Sequence, residues 1–206
     1  MIPVNKPEFG VKDFISVITM HKDSISTLEQ MFAQYIGVDY SVFTSSGKSA
    51  LYLGYKSLNL EGEVIVSPLT CSDAVLPMVC CNLKPCFVDI DPQTYNIDPE
   101  KINEAITRNT CAIQVIHLAG NPCDMKPIED IAEDHNLILV EDCAQSLGAE
   151  YRGKMTGSFG KLSCFSLMKN MYGIGGGMIV TNNHDISLKV RDFQQNFGKL
   201  ARPIKY

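Results

Sequence analysis

The sequence predicts an α/β fold, a three-layer α/β/α arrangement around a mostly parallel seven-stranded sheet. Three observations predict it. Short, β-branched apolar runs alternate along the chain with stretches of helical period. Most of those runs are apolar throughout rather than alternating, as strands covered on both faces must be. The chain has 206 residues, 45% of them hydrophobic, enough for one domain with a sizeable core.

The elements follow in order. Leu28, Met31, Phe32 and Tyr35 stand at i, i+3, i+4 and i+7, the stripe of an amphipathic helix. Strands are expected at 40–44, 63–67, 86–89, 112–117, 137–141, 162–166 and 177–181. After the first strand, Leu51, Tyr55 and Leu58 share a helix face. Asp98-Pro99 reads as an N-cap followed by proline at the first helical position, with Ile102, Ala105 and Ile106 on one side. Ile128, Ile131 and Ala132 mark another helix, and Ile186, Val190 and Phe193 the last. Right-handed crossovers in such a sheet place functional loops at the carboxyl ends of the strands. We expect a single domain over 1–206, with a helical arm over 1–36 and the α/β core over 37–206.

Composition excludes several classes. Lys and Arg number 18 and Asp and Glu 23, so the net charge is 18 − 23 = −5, with no basic block to bind nucleic acid. No apolar run approaches ~20 residues, so no membrane span is expected. Met1-Ile2-Pro3-Val4-Asn5-Lys6-Pro7 lacks the apolar core of a signal peptide. The eight cysteines form no CxxC pair, which argues against a zinc site. Most lie in apolar runs and read as buried free thiols of a reducing, cytoplasmic setting.

Lys169 is the residue most suggestive of chemistry. It lies between an apolar run and Gly173, Gly175, Gly176 and Gly177. A lysine in a dry, glycine-lined pocket can form a Schiff base with an aldehyde cofactor. Asp142 ends the run Leu137-Ile138-Leu139-Val140-Glu141, where a carboxylate faces the ligand crevice. Beside a pyridine nitrogen it favours the protonated ring, which is the electron sink for a carbanion. Together the two point to pyridoxal 5'-phosphate (PLP), with a helix cap or a metal ligand as the alternatives for Asp142. No second acid or histidine has a spacing that matches a metal site. Gln145, just beyond, can hydrogen-bond a ring substituent. Glu141 alternates to the other side of the strand. His117 reads as a structural hydrogen-bonder and is left out of the catalytic set.

Ser46-Gly47-Lys48-Ser49 follows a strand and opens a helix, where free N–H groups bind phosphate. Gly47 lets the backbone come close, and Ser46, Lys48 and Ser49 add donors. The alternative is a plain strand–helix turn with a surface lysine. Gly47-Lys48-Ser49 also looks like the end of a nucleotide P-loop, but that motif needs glycine where Val42 stands.

These segments together resemble the DegT–DnrJ–StrS family of PLP-dependent sugar aminotransferases. The segments that carry the resemblance run in the family's order, beginning with Met1 to Pro7. Next come Ser45-Ser46-Gly47-Lys48-Ser49-Ala50-Leu51 and Glu63-Val64-Ile65-Val66-Ser67-Pro68-Leu69-Thr70. Phe87-Val88-Asp89-Ile90-Asp91, Asn96-Ile97-Asp98-Pro99 and Glu141-Asp142-Cys143-Ala144-Gln145 follow. Cys164-Phe165-Ser166 with Lys169-Asn170, and then Gly176-Gly177-Met178-Ile179-Val180-Thr181-Asn182, complete the set.

The resemblance implies the large domain of fold-type I aminotransferases. It implies Lys169 as the lysine that binds the cofactor and shuttles the proton, where the related sugar dehydratases carry histidine. It implies Asp142 on the pyridine nitrogen, Gln145 near the phenolic oxygen, and Ser166, Lys48 and Ser49 on the phosphate. The implied reaction passes an amino group from glutamate to a keto group of a nucleotide-linked deoxysugar, in a site shared by two subunits. Lys48 stands where threonine is usual, and Cys71 where an aromatic often stacks on the cofactor ring. The spacing from Ser166 to Lys169 is two residues shorter than usual, and the stretch from Met20 to Thr27 lacks a glycine-containing loop. The chain stops at Tyr206 while the family's members are nearly twice as long. We therefore expect the C-terminal small domain to be absent, leaving a homodimer or a partner chain to complete the site. A cofactor-fold module without catalysis, used for binding or assembly, is one alternative, and a PLP-dependent sugar dehydratase is the other.

Overall fold

The computed structural model describes residues 23–170 and 175–200. The opening segment Met1 to Pro7 and Gly173 lie outside the described residues. Helix α1 (Ser24–Ile36) leads into β1 (Tyr40–Thr44), α2 (Gly47–Leu58), β2 (Glu63–Val66), α3 (Ser72–Cys80) and β3 (Lys84–Phe87). Then come α4 (Pro99–Ala105), β4 (Thr110–Ile116), α5 (Met125–Asp134) and β5 (Ile138–Asp142). A hairpin, β6 (Glu150–Tyr151) and β7 (Lys154–Met155), precedes β8 (Leu162–Ser166), α6 (Leu167–Asn170), β9 (Gly177–Thr181) and α7 (His184–Leu200).

The main sheet has seven strands in the order β1-β9-β8-β5-β4-β2-β3. Pairing is parallel from β8 through β5, β4 and β2 to β3, while β9 runs against both β8 and β1. The mostly parallel α/β sheet expected from sequence is what forms. Period-two alternation sends successive side chains to opposite faces. On one face Val64, Val66, Ala112, Ile116, Val140, Leu162 and Cys164 pack against α2, α3 and α7. On the other, Ile65, Ile113, Val115 and Leu139 pack against α4 and α5, and Phe165, Met178 and Val180 against α1. This is a three-layer core.

Caps and faces match most expectations. Asp98 Oδ1 accepts the Glu100 N–H at 2.9 Å, with Pro99 in the first helical turn. Leu51 and Tyr55, Ile128 and Ala132, and Ile186 and Val190 are buried. Helix α1 turns by one residue from its expected face. Met31 and Tyr35 are exposed, and the buried row is Glu29, Phe32, Ala33 and Ile36. Glu29 tolerates burial because Arg191 lies 2.9 Å from one carboxylate oxygen and the Phe43 N–H bonds the other at 2.8 Å.

Three further expectations are corrected. The strand placed at 86–89 is β3 at Lys84–Phe87, a half-exposed sheet edge where Pro85 costs little. Helix α3 was not anticipated, because Pro77 sits inside it. The cysteines are not uniformly buried: Cys123, Cys143 and Cys164 are, whereas Cys71 and Cys80 are exposed and Cys81, Cys86 and Cys111 are half-buried. Among the described residues, no helix is long and apolar enough to cross a membrane.

The described part of the glycine run has a packing role. Gly175, Gly176 and Gly177 pass close to the turn between β1 and α2. Gly176 N–H donates to Ser45 O at 3.0 Å. A Cβ on Gly177 would meet the Ser46 carbonyl at 2.5 Å and the Gly47 nitrogen at 2.6 Å. Both obstacles are backbone, so the turn itself must yield. Gly177→Ala is expected to cost about 1–3 kcal/mol of stability, measured by urea unfolding.

Candidate active site

All the same-direction strands end at one edge of the sheet, and antiparallel β9 begins there. A cavity of about 410 Å³ opens at that edge, within the range of small-molecule sites. The α2 turn gives it Ser46, Gly47 and Lys48; the start of α3 gives Cys71 and Asp73. The end of β5 gives Asp142, the end of β8 gives Cys164 and Ser166, and α6 gives Met168 and Lys169. Asp142 shares strand parity with Val140, which packs toward α2 and α3, so the pleat turns its carboxylate to this side.

Of the residues picked from sequence, the structure brings Lys169, Asp142, Ser166, Gly47, Lys48 and Cys71 together. It does not bring Gln145 or Ser49 to the cavity wall. Gln145 Oε1 accepts the Ala119 N–H at 3.0 Å, tying the loop after β5 to the loop after β4. The Ser49 hydroxyl sits 2.9 Å from those of Ser45 and Ser46, and its N–H donates to Ser46 Oγ at 3.1 Å, so Ser46 caps α2 through Ser49. The Lys48 N–H has no partner among the described residues. Gly47 is required by contact: a Cβ there would lie 3.0 Å from Ser166 Cβ.

The pocket is not dry at Lys169. Lys169 and Met168 are exposed, and the cavity opens beside them. Asp142 is its buried pole. Burial pushes the Asp142 carboxyl up from the ordinary range, while the Ala144 N–H at 3.0 Å, the Lys169 ammonium and His117 pull it down only in part.

This donor set suits a cationic aromatic ring carrying an anionic ester: a buried carboxylate, a nearby amine, a helix start with an open N–H, and a hydroxyl at Ser166. A model of the DegT/DnrJ/EryC1/StrS aminotransferase family matches residues 15–203. The chain belongs to that family.

Named relatives agree. The GDP-perosamine synthase of Caulobacter vibrioides is 40% identical over 171 residues, 81% of this chain and 46% of the relative. An aminotransferase structure from Psychrobacter cryohalolentis superposes with a TM-score of 0.88 at 29% identity, covering 99% of this chain and 57% of that one. The E. coli GDP-4-keto-6-deoxy-D-mannose-3-dehydratase with bound hydrated PLP gives a TM-score of 0.83 at 30% identity, covering 90% and 52%. The chain spans about half the length of the curated relatives it matches.

Sequence reasoning missed Asp73 and Met168 among the cavity residues, because neither α3 nor α6 was read as a helix. It also missed how much hangs on Glu141. This carboxylate points to the opposite face, fully buried. Oε1 accepts the Phe159 N–H at 2.8 Å, the Gly160 N–H at 2.6 Å and the Ser163 hydroxyl at 2.9 Å. Oε2 accepts the Gly157 N–H at 2.7 Å and lies 3.1 Å from His117 Nε2. The Cys123 N–H points at His117 Nδ1 at 3.0 Å, so the ring proton sits on Nε2 and is donated to Glu141. Cys143 Sγ completes a buried group of three possible metal ligands. Their polar atoms are already bonded within the protein, and we read the group as structural.

Burial pushes the Glu141 carboxyl up, but the His117 hydrogen bond and the Gly157 and Gly160 N–H groups outweigh it, and it lies below the ordinary range. Its stabilisation is therefore present above the unfolded value of about 4.3 and lost as pH falls through the folded value. Glu141→Gln should flatten the acid side of a stability–pH profile, and Glu141→Ala should cost about 3–5 kcal/mol in urea unfolding. Asp142 has the opposite sign. With its folded value raised, stability is lost as pH rises from about 3.9 through the folded value. Asp142→Asn should therefore raise the Tm of the ligand-free protein at neutral pH, read by calorimetry.

Proposed function

We propose that this chain is the cofactor-binding half of a PLP-dependent sugar aminotransferase, which passes an amino group from glutamate to a keto group of a nucleotide-linked deoxysugar. The observation that carries the proposal is one cavity lined by Lys169, Asp142, Ser166 and the α2 turn together. Family membership and the named relatives support the reaction class. PLP, when bound, supplies an electron sink for a carbanion at the substrate carbon.

The chain's own residues do the rest. Asp142, buried and held up by desolvation, gains by facing a ring N–H⁺ and keeps that proton in place. Lys169 brings an amine to the open side of the cavity, where it would hold the cofactor and carry the proton to and from substrate. The Lys48 N–H and the Ser166 hydroxyl take phosphate oxygens at the start of α2. Cys71 forms part of the wall with a small thiol, leaving the ring less stacked than an aromatic would. Lys169 also favours amino transfer over the dehydration named for one structural neighbour. The proposal takes 1–206 as the large domain of a cytoplasmic enzyme whose sites lie between protomers, as a homodimer or with a partner chain.

PLP titration into the purified chain should produce a visible absorption band, and borohydride should then fix the cofactor on Lys169, located by peptide mass mapping. An unchanged band in Lys169→Ala would rule the assignment out. Turnover with glutamate and a keto-sugar nucleotide separates the enzyme from a non-catalytic binding module.

A further inference from the structure

The two lips of the cavity are joined by one ion pair. Lys48 Nζ lies 2.6 Å from Asp73 Oδ1, with side chains 52% and 56% exposed. Lys48 belongs to the first turn of α2 and Asp73 to the first turn of α3, and both line the cavity.

The two charges stand in unequal positions. An acid in a helix's first turn is favoured by the positive end of the macrodipole, so Asp73 suits α3 on its own. A cation in a first turn meets the same end with the wrong sign, so Lys48 is disfavoured by α2. Asp73 is what draws the ammonium across the cavity mouth. An exposed pair of this kind is worth roughly 0–1 kcal/mol, weak enough to exchange. A phosphate group seated at the start of α2 is a second, stronger acceptor for the same ammonium.

We propose that Asp73 is a positioning residue that sets the affinity of this cavity for phosphate esters, by competing with the ester for Lys48. The inference rests on the PLP reading above and goes beyond it. Phosphate capture then requires Lys48 to leave Asp73, and the negative charge left behind weakens the gain. The pair is specific to the phosphate end of the ligand. A ring without the ester leaves Lys48 on Asp73 and is indifferent to it.

The test compares PLP with pyridoxal, which lacks the ester, on the full chain. Equilibrium titrations are run on wild type, Asp73→Asn, Lys48→Thr and the double variant. Asp73→Asn should bind PLP more tightly, by up to about fivefold, the upper limit that an exposed pair's worth converts to. Its affinity for pyridoxal should not change, which also controls for damage to the fold. Lys48→Thr should bind PLP more weakly, and in that background Asp73→Asn should have no further effect. Equal or weaker PLP binding by Asp73→Asn, a matching gain for pyridoxal, or an undiminished gain without Lys48 would each overturn the inference. Should wild type bind no PLP at all, the cofactor reading falls and takes this inference with it. PLP bound by wild type with no response to Asp73→Asn overturns the inference alone.

Discussion

Two adjacent carboxylates are buried at the end of β5, and the β pleat turns them to opposite faces of the sheet. Everything at the candidate site depends on that arrangement. Glu141 is surrounded by donors: three backbone N–H groups, a serine hydroxyl and a histidine N–H. Asp142 has a single backbone N–H on one oxygen and a cavity in front of it. The same chemical group is thus fully hydrogen-bonded on one face and faces a cavity on the other. A buried charge costs several kcal/mol unless it is paired or hydrogen-bonded. Glu141 meets the condition with five donors, whereas Asp142 has the Ala144 N–H and the Lys169 ammonium and gains further from a cation in the cavity.

The Glu141 network also fixes the strand that carries Asp142. Gly157, Phe159 and Gly160 are held to its oxygens, and Ser163 ties it to β8, the strand that delivers Ser166. On the other side, Tyr55 from α2 bonds Gln114 at 2.5 Å, and Gln114 bonds Ala74 O at 3.1 Å in the first turn of α3. Both lips of the cavity are therefore referenced to the same central strand, β4. Among the described residues, no buried side-chain nitrogen or oxygen lacks a partner, so these links are closed rather than strained. The ligand-facing groups sit on a scaffold with little freedom to misplace them.

What was legible in the sequence is what depends on local periodicity. The β-branched runs gave all seven main-sheet strands to within a few residues, and Asp98-Pro99 gave a helix start. Asp142, Lys169, Ser166 and the α2 turn were legible because strand ends and helix starts are where an α/β sheet exposes function. The failures have physical causes. Helix α1 was turned by one residue because Glu29 looks like a surface residue until Arg191, far away in sequence, is seen beside it. Helix α3 was hidden by Pro77, and with it Asp73. Gln145 Oε1 accepts the Ala119 N–H, a contact between loops that no periodicity encodes. The close approach of Gly177 to Ser46 and Gly47, which excludes a side chain there, is likewise a contact that no periodicity encodes.

The uneven burial of the site bears on what it still needs. Asp142 is enclosed, whereas Lys169 and Met168 are exposed. A bound ring would cover Lys169 from one side and bring its carbon within reach. Met168, with an apolar and adaptable side chain at the open edge, offers a surface that further protein can cover. Alignment of the reacting groups is thus built into strand ends and helix starts of this chain. Among the described residues, nothing covers Lys169 and Met168 from the open side.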